Sequence, residues 1–171
     1  MPEVATAYRL AERFQDCAAR EDFASLLGEL GAGVSARGAE GNAETGRALV
    51  RRYFEMWNTG DSAEADALLG PTYLDHAHPA VLGPAAVRSL VRRFRSENRE
   101  ARIAADIVAF DAEFVVVRRA IRWGRKGSEE PCGLALFRVE GGQLAEQWSS
   151  PPGAGRAPAL GERRAALRNY F

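Results

Sequence analysis

The sequence predicts an α+β domain in which helices come first and a long antiparallel sheet follows. Apolar residues recur at helical spacing within residues 45–60 and again within residues 83–97. From residue 102 onward, four apolar strand-like runs follow one another with polar turns or loops between them. Consecutive strands joined by tight turns are typical of an antiparallel meander rather than of a parallel sheet.

Each element before the sheet has its own boundary signal. The helix at residues 45–60 ends in "WNTG", and its apolar stripe holds Leu49, Val50, Tyr53, Phe54 and Trp57. A short helix in "DSAEADALLG" stops at a Gly-Pro pair, and "TYLDHAHP" predicts a short strand ended by proline. Pro84 then stands in the first turn of the helix at residues 83–97, where proline is tolerated.

Four runs in the second half of the chain predict the strands of the sheet. The turn before the last run contains "EGG", a hairpin signal, whereas the loop "GRKGSEE" before the third run is longer and polar. The four runs are "RIAADIVAF", "FVVVRRAIRW", "CGLALFRV" and "GQLAEQW".

Composition divides the chain into three parts. Residues 1–43 comprise a predicted helical arm and Gly-rich linker, residues 44–150 the α+β domain, and residues 151–171 a Pro/Gly linker with a basic helix or tail. Because the arm is short for an independent core, we expect it to dock on the main domain or on a partner subunit. Its first apolar stripe is Val4, Ala7, Tyr8, Ala11, Phe14 and Ala18, and "EDFASLLGEL" predicts a second helical segment.

The composition indicates one globular domain and argues against several classes of partner. Of the 171 residues, 46% are hydrophobic and 27% are charged. The 23 Lys and Arg residues balance the 23 Asp and Glu residues, so bulk charge indicates neither a nucleic-acid nor a membrane partner. No apolar run is long enough for the core of a signal peptide or for a membrane-spanning helix. Cys17 and Cys132 lie far apart in the sequence and do not have the spacing of metal ligands. We therefore expect a soluble, cytoplasmic protein.

Three motifs in the main domain carry a family resemblance. They are the Trp-Asn-x-Gly-Asp end of the first helix, the strand that ends Asp-His, and the hairpin pattern Phe-Arg-x-x-x-Gly-x-x-x-Glu-x-Trp. Together they resemble the SnoaL-like polyketide cyclases of the nuclear transport factor 2-like superfamily, over about residues 44–150. The likeness is more specific for the fold than for the function, because this scaffold hosts several activities.

The resemblance implies both a shape and a chemistry. The implied shape is a cone-shaped α+β barrel, with a curved antiparallel sheet wrapped around helices and an apolar pocket inside. Relatives often form homodimers through the outer sheet face. Family cyclases close a polyketide ring by an aldol step, with an acidic side chain as base and without a metal or organic cofactor.

We therefore expect an antibiotic-biosynthesis enzyme of the cyclase or isomerase type. It would act on a small hydrophobic, polyketide-like substrate by acid–base or shape-driven ring formation. The alternative is a non-catalytic pocket protein or accessory subunit that binds a small hydrophobic ligand or a partner protein.

The candidate acids and proton carriers lie on two predicted strands. Asp75 is a candidate base or an orienter of His76, with a turn-forming role as the alternative. Asp106 is a second candidate base, with a solvent-facing position as the alternative. His76 matches the strand-end histidine of the family, as a proton relay or as a structural hydrogen-bonding residue.

Two further residues are candidates for stabilising a developing oxyanion. The hydroxyl of Tyr53 would donate a hydrogen bond to it, and the guanidinium of Arg119 would supply a fixed positive charge. Arg119 occurs in an alternating set with Val117 and Ile121 that predicts an inward face, unless a bulge turns it outward.

The His-x-His spacing of His76 and His78 does not predict a metal site. The two side chains would share one strand face, with Asp75 on the other. Metal sites usually need three or four protein ligands, and the chain holds no further histidine. We expect no metal here and interpret His78 as a loop residue.

The last two strands depart from the pattern of the family. Relatives commonly read "EHWD" or similar where this chain has Glu146-Gln147-Trp148-Ser149, and many carry an acid at the position of Ala135. Gln147, Ser149 and Ala135 thus replace groups that could serve as acid or base, which argues against ordinary aldol chemistry. Alternation places Gln147 and Ser149 on one strand face, opposite the face of Trp148. The predicted substrate-binding residues, with plain core packing as the alternative for the aromatic ones, are Trp57, Tyr73, Phe94, Trp123, Gln147, Trp148 and Ser149.

Overall fold

The computed structural model describes residues 39–110, 112–127 and 129–150. Most of the predicted N-terminal arm and the whole predicted C-terminal linker and tail lie outside the described residues. The described part forms helices α1 (Ala39–Thr59), α2 (Ala65–Leu68) and α3 (Gly83–Glu97), a 3-10 helix (Ser62–Glu64), and strands β1 (Leu69–Asp75), β2 (Arg102–Phe110), β3 (Phe114–Arg122), β4 (Glu129–Glu140) and β5 (Gln143–Ser150).

The five strands form one mixed sheet in the order β1-β5-β4-β3-β2. Strands β2 to β5 pair antiparallel in sequence order, whereas β1 pairs parallel with β5. A parallel pair needs a long connection, and the chain between β1 and β5 supplies it with α3 and three strands. The predicted α+β class is confirmed, with one parallel pair at the edge of an otherwise antiparallel sheet.

Helix α1 begins earlier than the sequence pattern indicates, at Ala39 rather than near residue 45. Gly46, although glycine is unfavourable in a helix interior, lies within the helix and against the sheet. A Cβ atom at this position would come within 3.1 Å of Val115 Cγ2, so the glycine allows a close approach of α1 to β3. Composition misplaced the boundary because intrinsic propensity is a weak guide where tertiary packing decides.

The end of α1 is fixed to the start of β2 by Asn58. Its side-chain amide donates to the carbonyl of Ile103 at 2.9 Å, and its side-chain oxygen accepts from the amide of the same residue at 2.8 Å. This reciprocal pair holds the buried aromatic stripe of α1 in one position over the sheet.

A bulge at Gly133 and a hairpin turn at Gly141 and Gly142 set the register of strands β3, β4 and β5. Arg119 pairs with Gly133 and Ala120 with Pro131, so β4 accommodates one extra residue as a bulge. Gly133 has φ of 88°, which favours glycine. At the β4–β5 hairpin, Gly141 and Gly142 have φ of 57° and 77°, as a two-residue turn of the primed type requires.

The helices pack against one face of the sheet, which we call the helix-side face. Phe137 of β4 lies in edge contact with two aromatic rings of α1, 5.2 Å from Tyr53 and 5.9 Å from Phe54 between ring centroids. From β3, Val115 and Val117 enter the same core. A bilayer-spanning helix needs about 20 mostly apolar residues, and no helix in the described part of the chain meets this requirement.

Candidate functional site

Five polar side chains lie buried within the helix-side core. They come from α1, β1, β3 and β5, and none is more than 5% exposed. Buried polar groups are costly unless they are paired, so their arrangement decides what this region can do. The five are Tyr53, Tyr73, Asp75, Arg119 and Gln147.

The side-chain amide of Gln147 joins two tyrosines from different elements. The hydroxyl of Tyr53 donates to Gln147 Oε1 at 3.1 Å, and the hydroxyl of Tyr73 donates to the same oxygen at 2.8 Å. The amide nitrogen of Gln147 donates to Ser149 Oγ at 3.3 Å. Two hydroxyl protons therefore converge on one oxygen atom, an arrangement suited to holding a negatively polarised oxygen.

Both phenol groups are held in the neutral, hydrogen-bond-donating form. Burial, followed by the negative charge of Asp75, raises the pKa of Tyr53 from 10.0 to about 12. Burial also raises the pKa of Tyr73 well above its ordinary value, and Tyr53 and Asp75 add to this effect. At neutral pH these two side chains act as donors and not as general bases.

Asp75 lies at the end of β1, opposite Gln147 in the parallel strand pair. Its Oδ1 accepts the backbone amide of Ala77 at 2.9 Å, which is the turn contact that the sequence left as an alternative. Its Oδ2 lies 3.1 Å from Nδ1 of His78. Sequence reasoning missed His78 as the partner of Asp75; the signal was the three-residue spacing within a turn ahead of proline.

Arg119 faces the helix side and is 1% exposed. Its Nη2 donates to the carbonyl of Leu134 at 2.9 Å. Burial lowers the pKa of Arg119, while the groups of Cys132, Tyr53 and Asp75 act to raise it. An arginine starts from such a high pKa that it stays positively charged at neutral pH. The core thus holds the carboxyl group of Asp75 and the guanidinium group of Arg119 close enough to interact electrostatically.

His76 lies on the opposite side of the sheet from Asp75. Its ring stacks on Trp148, with 4.5 Å between centroids and 8° between planes. Its Nε2 lies 2.7 Å from Oε2 of Glu146, and the other carboxylate oxygen of Glu146 accepts from Nε of Arg138 at 2.7 Å. The structure therefore forms two acid–histidine pairs, Asp75 with His78 and Glu146 with His76, in place of the predicted orientation of His76 by Asp75.

The remaining predicted residues lie in different parts of the fold. Trp57 and Phe94 are fully buried, with ring centroids 5.6 Å apart, and Trp123 packs half-buried against the core. Asp106 is exposed and lies opposite Arg118 across the β2–β3 ladder. The structure does not bring Asp106 into the buried cluster, because strand alternation turns it to the other face of the sheet.

The two histidines contact carboxylates rather than forming a ligand set. Within residues 39–110, 112–127 and 129–150, no group of three or more His, Cys, Asp or Glu side chains is placed to hold a metal ion.

The class of protein is defined by a mixed sheet with helices packed on one face and a buried polar cluster between the sheet and the helices. It is an α+β protein of the nuclear transport factor 2-like class. The family described as "SnoaL-like domain" matches residues 50–147, which is more than half of the chain. The chain belongs to this family. The recognition of this family from the three sequence motifs is confirmed.

Solved structures with the same fold include three with TM-scores between 0.50 and 0.53. TsrD from Streptomyces laurentii is 23% identical with a TM-score of 0.51, covering 63% of this chain and 87% of that one. An NTF2-like protein of unknown function from Mesorhizobium loti is 18% identical with a TM-score of 0.53, covering 65% and 93%. A SnoaL-like polyketide cyclase from Agrobacterium tumefaciens is 15% identical with a TM-score of 0.50, covering 60% and 87%. At these identities the likeness shows the fold alone.

No curated protein matches the sequence significantly.

Proposed function

We propose that this protein is a natural-product biosynthesis enzyme, a SnoaL-like cyclase or isomerase acting on a polyketide or a related hydrophobic substrate. The observation that carries the proposal is the buried cluster of Asp75, Arg119 and two converging phenol hydroxyls inside an apolar core. Burying a charged pair rarely stabilises a fold relative to apolar residues of similar size. Membership of the SnoaL-like family supports the class of substrate.

Asp75 is the base in the proposed reaction. Its carboxylate takes a proton from the carbon next to a substrate carbonyl, which breaks the C–H bond and leaves an enolate. The amide of Ala77 and the ring of His78 hold the two carboxylate oxygens in place. Exclusion of water by the surrounding apolar side chains strengthens the electrostatic interactions within the site.

Tyr53 and Tyr73 stabilise the enolate oxygen. Their hydroxyls converge on Gln147 Oε1, and a substrate oxygen that takes this position receives both hydrogen bonds. Because burial raises the pKa of both phenols, they remain protonated while negative charge develops on the substrate. Arg119 adds a fixed positive charge to the same region.

Ring closure follows when the enolate carbon attacks a second carbonyl carbon of the same substrate. A C–C bond forms, the C=O π bond breaks, and the new alkoxide takes the proton back from Asp75. The carboxylate is regenerated, so the reaction balances using only the groups of the protein and the substrate. Holding both ends of a flexible chain close together lowers the entropic part of the barrier.

A second candidate function is a non-catalytic pocket protein or accessory subunit. It would bind a small hydrophobic ligand or a partner protein. Two features favour it. Gln147 and Ser149 replace groups that could serve as acid or base in relatives, and both tyrosine hydroxyls already have an acceptor within the protein.

Product formation and proton exchange with solvent distinguish the two candidates. The purified protein is incubated in D₂O with a panel of linear poly-β-ketone thioesters, followed by mass spectrometry and NMR. The enzyme proposal expects a cyclised product and deuterium at the α-carbon to form faster than in buffer alone, and Asp75→Asn loses both rate enhancements. Glu55→Gln, an exposed change on α1, is the matched control and retains both. Tight binding of the panel without turnover or exchange contradicts the enzyme proposal and supports the binding protein.

A further inference from the structure

Part of the face of the sheet away from the helices is apolar and buried. Side chains that alternate with the helix-side residues of β2, β3, β4 and β5 point to this other side. We call six of these residues the outer-face patch. They are Ala109, Phe114, Val116, Leu134, Leu136 and Trp148, and none is more than 9% exposed.

The described helices do not explain the burial of the outer-face patch. The core that they form with the sheet contains Val115, Val117 and Phe137 and none of the six patch residues. A sheet with one solvated face shows alternating burial along its strands. Instead, β3 is buried at four consecutive positions and β4 at five. The centre of the sheet is therefore buried from solvent on both faces.

We propose that residues 3–30 of this chain form an amphipathic helical cover that packs on the outer-face patch. This segment carries apolar residues at helical spacing, and the larger ones are Tyr8, Leu10, Phe14, Phe23, Leu26, Leu27 and Leu30. If all 28 residues of this segment were helical, the helix would be about 40 Å long. The nine residues of β3 span about 30 Å. The segment is long enough to cross the patch.

The position of α1 allows the connection. Gly46 lies against Val115 and Val139, so the first half of α1 lies near the end of the sheet where β3 starts and β4 finishes. The Gly-rich stretch at residues 31–38 spans up to about 27 Å when extended. Packed layers are separated by about 10 Å, so this stretch reaches from one side of the sheet to the other.

Two other occupants fit the patch less well. Residues 151–171 are rich in proline, glycine and arginine and contain few large apolar side chains. A second copy is the occupant that the family resemblance implies. The exposures of the patch, however, are those of a single chain, which favours a cover from the same chain. The inference is independent of the proposed function.

Photo-cross-linking in the full-length chain tests the proposal. A benzophenone maleimide is attached at Arg118→Cys, an exposed position two residues from Val116, in a Cys17→Ala/Cys132→Ala background. The expected result is cross-links within one chain to residues 3–30. The matched control carries the probe at Glu55→Cys on α1, exposed on the helix side, and gives none of these products. Cross-links to residues 151–171, cross-links between two chains, or no protein cross-link at all would overturn the proposal.

Thiol reactivity gives a second test that needs no cross-link. Val116→Cys in the same background is expected to react about 100-fold more slowly than Arg118→Cys at every protein concentration, since Val116 is fully buried. Equal rates would mean that the outer-face patch is open. A rate that rises on dilution, together with a fall in molar mass, would identify a second copy as the occupant. Either result overturns the proposal.

Discussion

Asp75 and Gln147 are register partners where β1 runs parallel to β5. The acid carries a negative charge into the core, and its amide neighbour accepts hydrogen bonds from Tyr53 and Tyr73. An acid at position 147 would place two carboxyl groups side by side in a buried site, where one of them would be forced to hold a proton. The glutamine therefore avoids a second carboxyl group beside Asp75 in the buried site.

The first prediction introduces an acid beside Asp75. Gln147→Glu is expected to destabilise the fold by about 2 kcal/mol near pH 8, because the new carboxyl is desolvated and repelled by Asp75. These effects raise the folded-state pKa of the new carboxyl above its unfolded value, so the penalty appears as pH rises and shrinks toward about pH 5. Urea unfolding at the two pH values measures it. Gln143→Glu, at the start of β5, serves as the control, and a penalty independent of pH contradicts the prediction.

The second prediction concerns the two hydroxyls that share one acceptor. Tyr53→Phe and Tyr73→Phe each remove one donor from Gln147, at an expected cost of about 1 kcal/mol. Either single variant leaves the Gln147 oxygen with one bond, whereas the double variant leaves it buried without these donors. The double variant should therefore lose more than the sum of the two, by about 1 kcal/mol. Urea unfolding of the four proteins gives this coupling, and strict additivity would show that the two bonds are independent.

The third prediction follows from the raised pKa of the buried phenols. Tyr53 has a folded-state pKa of about 12 against 10.0 for the free side chain, so the folded state binds its proton more tightly. Its contribution is fully present below pH 10.0 and is lost as pH rises toward about 12. The loss from Tyr53 amounts to about 3 kcal/mol, and Tyr73 adds to it.

Denaturant unfolding across this alkaline range measures that loss. The Tyr53→Phe/Tyr73→Phe double variant is the control, and its unfolding free energy should decline less steeply over the same pH interval. Parallel declines in the two proteins would mean that neither phenol has a raised pKa.

The fourth prediction separates the two acid–histidine pairs. His78→Ala removes the partner of Asp75 and should lower turnover of the proposed substrate about tenfold. His76→Ala removes the stack on Trp148 and the contact with Glu146. It should cost about 1 kcal/mol of stability and leave turnover within about twofold. Turnover that falls in His76→Ala but not in His78→Ala contradicts this assignment.

Some parts of the site follow from sequence and others depend on tertiary packing. The stripe on α1 and the two-glycine hairpin are local patterns, so periodicity alone assigns Tyr53 to the buried stripe and Gln147 to one face of its strand. The parallel pairing of β1 is a long-range contact, and no local pattern shows that Asp75 lies beside Gln147. For Arg119, alternation indicates the inward face, but only the position of the bulge in β4, rather than β3, decides between the two orientations.

The last prediction concerns Arg119, the buried cation nearest to the proposed site. Arg119→Met keeps most of the apolar volume but leaves the carboxyl group of Asp75 buried without this cation, so the free energy of unfolding should fall by about 3 kcal/mol. Turnover of the proposed substrate should fall about 100-fold, because the positive charge near the developing oxyanion is lost. Arg119→Lys retains the charge and should recover part of that activity. The control is Arg118→Met on the exposed side of the same strand, with unchanged turnover. Unchanged turnover of Arg119→Met, measured under conditions where urea unfolding shows the variant to be folded, would contradict the catalytic role of Arg119.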